Sequence, residues 1–203
     1  WLDTSLPSDP SGPCGLPWSC AARARRAVHS AAFERLKSLA ISWRMTGSLI
    51  LPVSRARISP QALVARAARI RLVLLDVDGV LTDGRLYYGP EGEAIKAFDV
   101  KDGHGIVLLR DHADFGVISG RPGKASEKRL HELRFKHLVF GERDKLAGYA
   151  QLAHLGIPDE EVAYMGDDVN DVPLLRRVGL AACPADARPE VKEVVHFVAS
   201  SSG

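Results

Sequence analysis

The sequence predicts an α/β fold: a doubly wound, Rossmann-like parallel sheet with one projecting β-hairpin. Three observations point there. From Ser59 onward, short apolar strands alternate with helical segments. The run "RLVLLDV" is apolar at successive positions, as a strand covered on both faces must be. Acidic, basic and hydroxyl side chains recur just where strands end, which is where open parallel sheets bind their ligands.

The elements follow in order. "SPQALVARAARI" offers Ser59 as an N-cap and Pro60 at the first helical position. "RLVLLDV" is the first strand. "GRLYYGPEGEAIKAFD" reads as two strands around the turn "GPEGE", a hairpin that interrupts the alternation. Thereafter "GHGIVLLRDHADF" reads as helix and "GVISG" as strand, "GKASEKRLHELRF" as helix and "KHLVFG" as strand. "DKLAGYAQLAHLG" and "EVAYMG", "NDVPLLRRVG" and "LAAC", then "PEVKEVV" and "HFVAS" complete the helix–strand pairs. There is no internal repeat.

Charge divides the chain. Residues 1–71 carry eleven Lys/Arg against three Asp/Glu, and residues 72–203 sixteen against twenty-two. Residues 1–58 are expected to form an N-terminal extension, disordered or non-native, and residues 59–203 the α/β domain. Residues 1–20 are rich in Pro, Ser and Gly without a period. "AARARRAVHSAAFERLKSLAISWRM" suits a basic helix or an organelle transit segment, with Met45 a candidate start. No run approaches the roughly 18 apolar residues of a membrane span, so no membrane partner and a cytoplasmic location are expected. Three cysteines without paired spacing, Cys14, Cys20 and Cys183, point away from disulfides and zinc. The acidic domain, and the lack of aromatics interleaved with "RARR", exclude nucleic acid as the main partner.

Carboxylates at strand ends demand an explanation, because buried charge is costly. The first strand delivers Asp76 and Asp78, the second Ser119 and Arg121, and the fourth Asp167 and Asp168 with Asp171 beyond. Lys145 opens the helix after the third. Acids gathered on one rim repel unless a hard cation sits among them, and oxygen donors suit magnesium. Asp76 and Asp167 are the natural direct ligands. Cation and Lys145 would attract a phosphate, with Ser119 and nearby backbone N–H groups completing its hydrogen bonds. Asp76 is then the nucleophile, and Asp78 the acid that protonates the leaving alkoxide and later activates water. Asp168 and Asp171 brace Lys145 or the metal's water shell, or cap the following helix.

"DVDGVLTDG", "VISGR", Lys145 and "GDDVND", in order and at strand ends, resemble the four motifs of the haloacid dehalogenase-like phosphohydrolases. Neither Gly84–Ser119 nor Arg121–Lys145 has room for a cap domain, so the resemblance is to a capless subfamily. "LTDGRLYYGPEGEAIKAFDVKDGHGI" and "RRVGLAACPADARPEV" are similar to the 3-deoxy-D-manno-octulosonate 8-phosphate phosphatases. That resemblance implies a magnesium-dependent phosphatase of lipopolysaccharide synthesis, acting as a homotetramer through an aspartyl-phosphate. It implies a catalytic set of Asp76, Asp78, Ser119 and Lys145, and a metal set of Asp76, Asp78 and Asp167. Sugar contacts are implied for Asp99, Val100, Lys101, Asp102, Gly103, Arg121 and Arg129, with Asp78 and Lys145 also touching substrate. Relatives continue past the last strand into a Gly-Gly-Arg-Gly-type tail; this sequence ends at "SSSG", so that tail is expected to be missing. Two other readings stand beside this one: an N-acylneuraminate 9-phosphate-type phosphatase, and a non-catalytic oligomerisation module of the same fold.

Overall fold

The computed structural model describes residues 58–203. The expectations for the basic extension lie outside the described residues.

Helix α1, Pro60–Ala67, starts where its cap requires: Ser59 Oγ accepts the Ala62 N–H at 3.1 Å, and Pro60 occupies the first turn. Strand β1, Leu72–Leu75, follows. Strands β2 (Tyr87–Gly89) and β3 (Gly92–Ile95) form the antiparallel hairpin. Then come α2 (Val100–Leu109), β4 (Asp114–Ser119), α3 (Lys124–Glu132), β5 (His137–Phe140), α4 (Lys145–Ala150) and β6 (Val162–Met165). Helix α5 (Val172–Arg177), β7 (Leu180–Cys183), α6 (Pro189–Lys192) and β8 (Phe197–Val198) complete the described chain.

The main sheet has six parallel strands in the order β5-β4-β1-β6-β7-β8. Alternation along β1 explains why it lies at the centre. Leu72 and Leu74 belong to one apolar cluster with Ile118, Tyr164 and Leu174. Val73 and Leu75 face the other, with Val117, Leu130 and Phe135. Each fully buried leucine contributes about 1.5–3 kcal/mol relative to exposure. No cap domain separates the strands; the hairpin is the one insertion of strand structure among the described residues.

Three predicted boundaries move. Helix α2 begins at Val100 rather than Gly103, because Asp99 accepts the Lys101 N–H at 2.7 Å and so caps the helix. Asp114 and Phe115 belong to β4 rather than to that helix, since they pair with Leu72 and Val73. The long helix expected after Asp144 is α4 plus a separate 3₁₀ turn at Ala153–Leu155, ended by the left-handed Gly156.

The connections run from β1 outward to β4 and β5, then return past β1 to β6 and on to β8. The reversal lies between β4–β1 and β6, and an α/β sheet opens a ligand crevice at such a switch point. Asp76, Ser119 and Asp167 each follow or end one of these three strands.

Candidate active site

Asp76 leaves β1 still inside the sheet, its N–H donating to Met165 O at 2.9 Å. Its carboxylate is buried, and each oxygen already has a donor. Oδ1 accepts the Val77 N–H at 2.7 Å, and Oδ2 lies 2.8 Å from Lys145 Nζ. Lys145 is positioned by its helix start. Asp144 caps α4 by accepting the Leu146 N–H at 2.9 Å and the Ala147 N–H at 3.3 Å, which turns the next side chain inward. The ammonium is 1 % exposed and has three oxygen neighbours: Asp76 Oδ2, Ile118 O at 2.8 Å and Asp171 Oδ1 at 3.3 Å. Three donors meet three acceptors, which is how a buried lysine keeps its charge without stranding a proton.

Asp171 is fully buried and held from several sides. It accepts the Tyr164 hydroxyl at 2.6 Å on Oδ1, and the Asp167 and Asp168 N–H groups at 3.0 Å each on Oδ2. Asp168 in turn caps the 3₁₀ turn Val169–Asp171, accepting the Val169 N–H at 2.7 Å. Asp171 thus sits 3.3 Å from Lys145, in the bracing position, while Asp168 is an exposed cap 3.7 Å from Arg188.

Asp167 completes the floor. Oxygens of Asp76, Asp167 and Asp171 lie within 4.8 Å of one another. Burial pushes the Asp76 carboxyl up to about 6, with Lys145 pulling it back. Burial, then the charges of Asp76, Asp171 and Asp168, push Asp167 up to about 7, and no cation pairs with it among the described residues. A half-buried carboxylate facing two others with no counter-charge is what a divalent cation would relieve, and the all-oxygen donor set fits magnesium. Gly79 is part of this fit. It has φ +84°, and a Cβ there would overlap the Asp167 carboxylate.

The Asp78 carboxylate, included in the metal set by resemblance, stands outside this acid group. It is paired with Lys96 and lies 3.7 Å from Arg121 Nε. The Lys96 side chain, just past the hairpin, is almost wholly buried between Asp78 and Glu93, 3.1 Å from Glu93 Oε1. Its position depends on how the hairpin folds back over the strand end, which no local pattern encodes. Ser119 is buried at the end of β4, where its Oγ accepts the Arg121 N–H at 3.3 Å.

The expected sugar-contact stretch lies at the start of α2. Asp99, Val100, Lys101 and Asp102 are exposed and Gly103 is buried. Partial desolvation at the helix start, then the charge of neighbouring Asp99, raise the Asp102 carboxyl. Arg129 comes from α3 to meet this stretch: a Cβ on Gly103 would lie 2.6 Å from its Nη2. Arg129 is also 3.4 Å from Glu132. Outside the strand ends a crevice of about 630 Å³ is lined by Tyr88, Gly120, Arg121, Pro122, Arg143 and Asn170. Of these, Gly120 and Arg121 lie in "VISGR" and Asn170 in "GDDVND", but only Arg121 carried an expected substrate contact.

Comparison with known proteins decides the family. A haloacid dehalogenase-like hydrolase model matches residues 137–202. A 3-deoxy-D-manno-octulosonate 8-phosphate phosphatase from Yersinia pestis is 44% identical over 142 residues, 69% of this chain and 76% of that protein. The chain belongs to this phosphatase family of haloacid dehalogenase-like hydrolases. The corresponding enzyme from Moraxella catarrhalis, solved with a magnesium ion, a phosphate ion and a KDO molecule, superposes with a TM-score of 0.68. It is 31% identical over 71% of this chain and 84% of that one. The cobalt-bound enzyme from Haemophilus influenzae gives 0.65 at 38% identity, over 68% of this chain and 82% of that one. The sequence-level resemblance, fold class and hydrolase assignment thus agree with the relatives. Among the described residues no helix is long and apolar enough to cross a membrane.

Proposed function

We propose that the chain hydrolyses 3-deoxy-D-manno-octulosonate 8-phosphate to the sugar acid and inorganic phosphate, in the cytoplasm, as a step of lipopolysaccharide synthesis. The observation that carries this reading is the switch-point floor: the Asp76 carboxylate 2.8 Å from a buried Lys145, with Asp167 and Asp171 closing the acid group.

Asp76 and Asp167, with Asp171 behind them, would hold magnesium, which offsets phosphate charge and so lets one anion approach another. Lys145 adds a fixed positive charge on the phosphate side of Asp76, and Ser119 donates a hydrogen bond to a phosphate oxygen. The Asp76 carboxylate forms a bond to phosphorus as the bond from phosphorus to the sugar oxygen breaks. Asp78 gives its proton to the departing alkoxide. Asp78 then takes a proton from water, which attacks the aspartyl-phosphate and restores Asp76 with release of phosphate. Lys96 and Arg121 position Asp78 for both transfers.

The test is phosphate release from a panel holding this substrate and N-acylneuraminate 9-phosphate, with magnesium present and then chelated. The expected result is preference for the octulosonate, loss on chelation, and a fall of at least about a thousandfold in Asp76→Asn. Preference for the nine-carbon substrate would move the assignment to the neuraminate type. Release from no sugar phosphate would favour the non-catalytic module.

A homotetramer is the assembly we infer. The hairpin and α2 each expose large apolar side chains: Tyr88 is 67% exposed, Ile95 65%, Val100 77% and Leu108 62%. Surfaces of this kind mark association sites. Light scattering should give four chains per particle, and Ile95→Asp should lower that mass; a wild-type monomer would end this inference.

A further inference from the structure

The cations around the crevice differ in how far they are already committed. Lys145 is enclosed by Asp76, Asp171 and Ile118 O. Lys96 sits between Asp78 and Glu93, Arg121 faces Asp78, and Arg129 faces Glu132. Arg143 lines the crevice and has no ion pair or hydrogen bond among the described residues.

Its base, by contrast, is fixed. Glu142 N–H donates to Ser119 O at 3.2 Å, and Glu142 Oε1 accepts the Asp144 N–H at 3.0 Å. Asp144 caps α4. The Arg143 stem packs on Gly120, whose added Cβ would lie 3.4 Å from Arg143 Cγ. A guanidinium with no internal partner is thus presented from a pinned loop, directly beside the end of the strand that carries Ser119.

A sugar-acid phosphate has two anionic ends. The phosphate end is accounted for by Ser119, Lys145 and the acid floor. We propose that Arg143 receives the carboxylate end, with the Asn170 carboxamide on the same crevice lining reading a sugar hydroxyl. This rests on the phosphatase reading above and extends it to a specificity residue that no motif marks. A planar guanidinium fork matches a carboxylate in two parallel hydrogen bonds, which ammonium cannot reproduce. A crevice of about 630 Å³ is the size of an ordinary small-ligand site.

The experiment compares wild type, Arg143→Gln and Arg143→Lys with magnesium, on 3-deoxy-D-manno-octulosonate 8-phosphate and on mannose 6-phosphate, which lacks the carboxylate. Arg143→Gln should lower the acid-to-neutral ratio of kcat/KM by about ten- to a hundredfold, mainly through KM, and Arg143→Lys should recover part of it. An active wild type whose ratio survives in Arg143→Gln overturns the Arg143 assignment while leaving the phosphatase reading intact. A wild type inactive on both substrates overturns the two together. Calorimetry with the free sugar acid gives a readout independent of turnover. Weaker binding to Arg143→Gln supports the assignment, and equal binding overturns it.

Discussion

The acid floor at the strand ends and the wall of the crevice beside it are built on opposite principles. On the floor, Lys145 is 1 % and Asp171 0 % exposed, and each polar atom of the pair meets a named partner. On the wall, Tyr88 is 67% exposed, the Arg121 side chain 47%, and Arg143 stands uncommitted. The floor is rigid because a misplaced charge in a buried site is expensive, and the same rigidity preorganises it for a phosphate. The wall is held by its backbone and left open in its side chains, which suits recognition of whatever the phosphate is attached to. On the proposed reading, reaction type and substrate choice fall to separate parts of one rim.

The largest effect expected from breaking that division is at Lys145. Lys145→Met keeps the stem's volume and removes the ammonium, leaving Asp76 and Asp171 facing each other without compensation. Loss of one member of a buried ionic group costs about 3–5 kcal/mol. Chemical denaturation should show that loss, and phosphate release should fall by two or more orders of magnitude, about 10²–10³-fold. A wall substitution such as Arg143→Gln should leave the denaturation midpoint within about 0.5 kcal/mol of wild type, as exposed sites do. Equal destabilisation at the two sites would show that floor and wall are not separable.

What could be read from the sequence follows the same line. Asp76, Ser119, Lys145 and Asp167 were legible because each sits at the end of a strand or the start of a helix, and those ends show in apolar runs and capping residues. The parallel sheet was legible for the same reason: "LVLL" alternates between two cores. Lys96 and Arg143 were not legible, and Asn170 lies inside "GDDVND" without an expected role. Lys96 follows the hairpin and Arg143 lies in a loop, where a lone charged residue looks like any solvated one. Asp171 was half legible. Its spacing from Asp168 marks a capping box, but only the packing of Tyr164 and Lys145 against it reveals a buried bracing carboxylate. Element ends were displaced where a cap or strand pairing prevailed over periodicity, as at Val100 and Asp114.

The smallest effect, and the one that sharpens the contrast between rim and surface, is the pH dependence of stability without magnesium. The Asp167 carboxyl is raised to about 7 in the folded protein against 3.8 for an ordinary aspartate, first by burial and then by its acidic neighbours; Asp76 is raised to about 6. A folded state that holds its protons more tightly than the unfolded chain is stabilised at low pH and loses that advantage as pH rises through the window between the two values. Exposed Asp83 and Glu190 are shifted the opposite way, held low by backbone N–H groups. The metal-free thermal midpoint should therefore fall from pH 5 to pH 8. Asp167→Asn should remove much of that fall, and added magnesium should reverse it in wild type but far less in the variant. A metal-free midpoint that stays level or climbs over this range would mean that Asp167 is compensated by the protein alone, and the acid floor would then have no need of a cation.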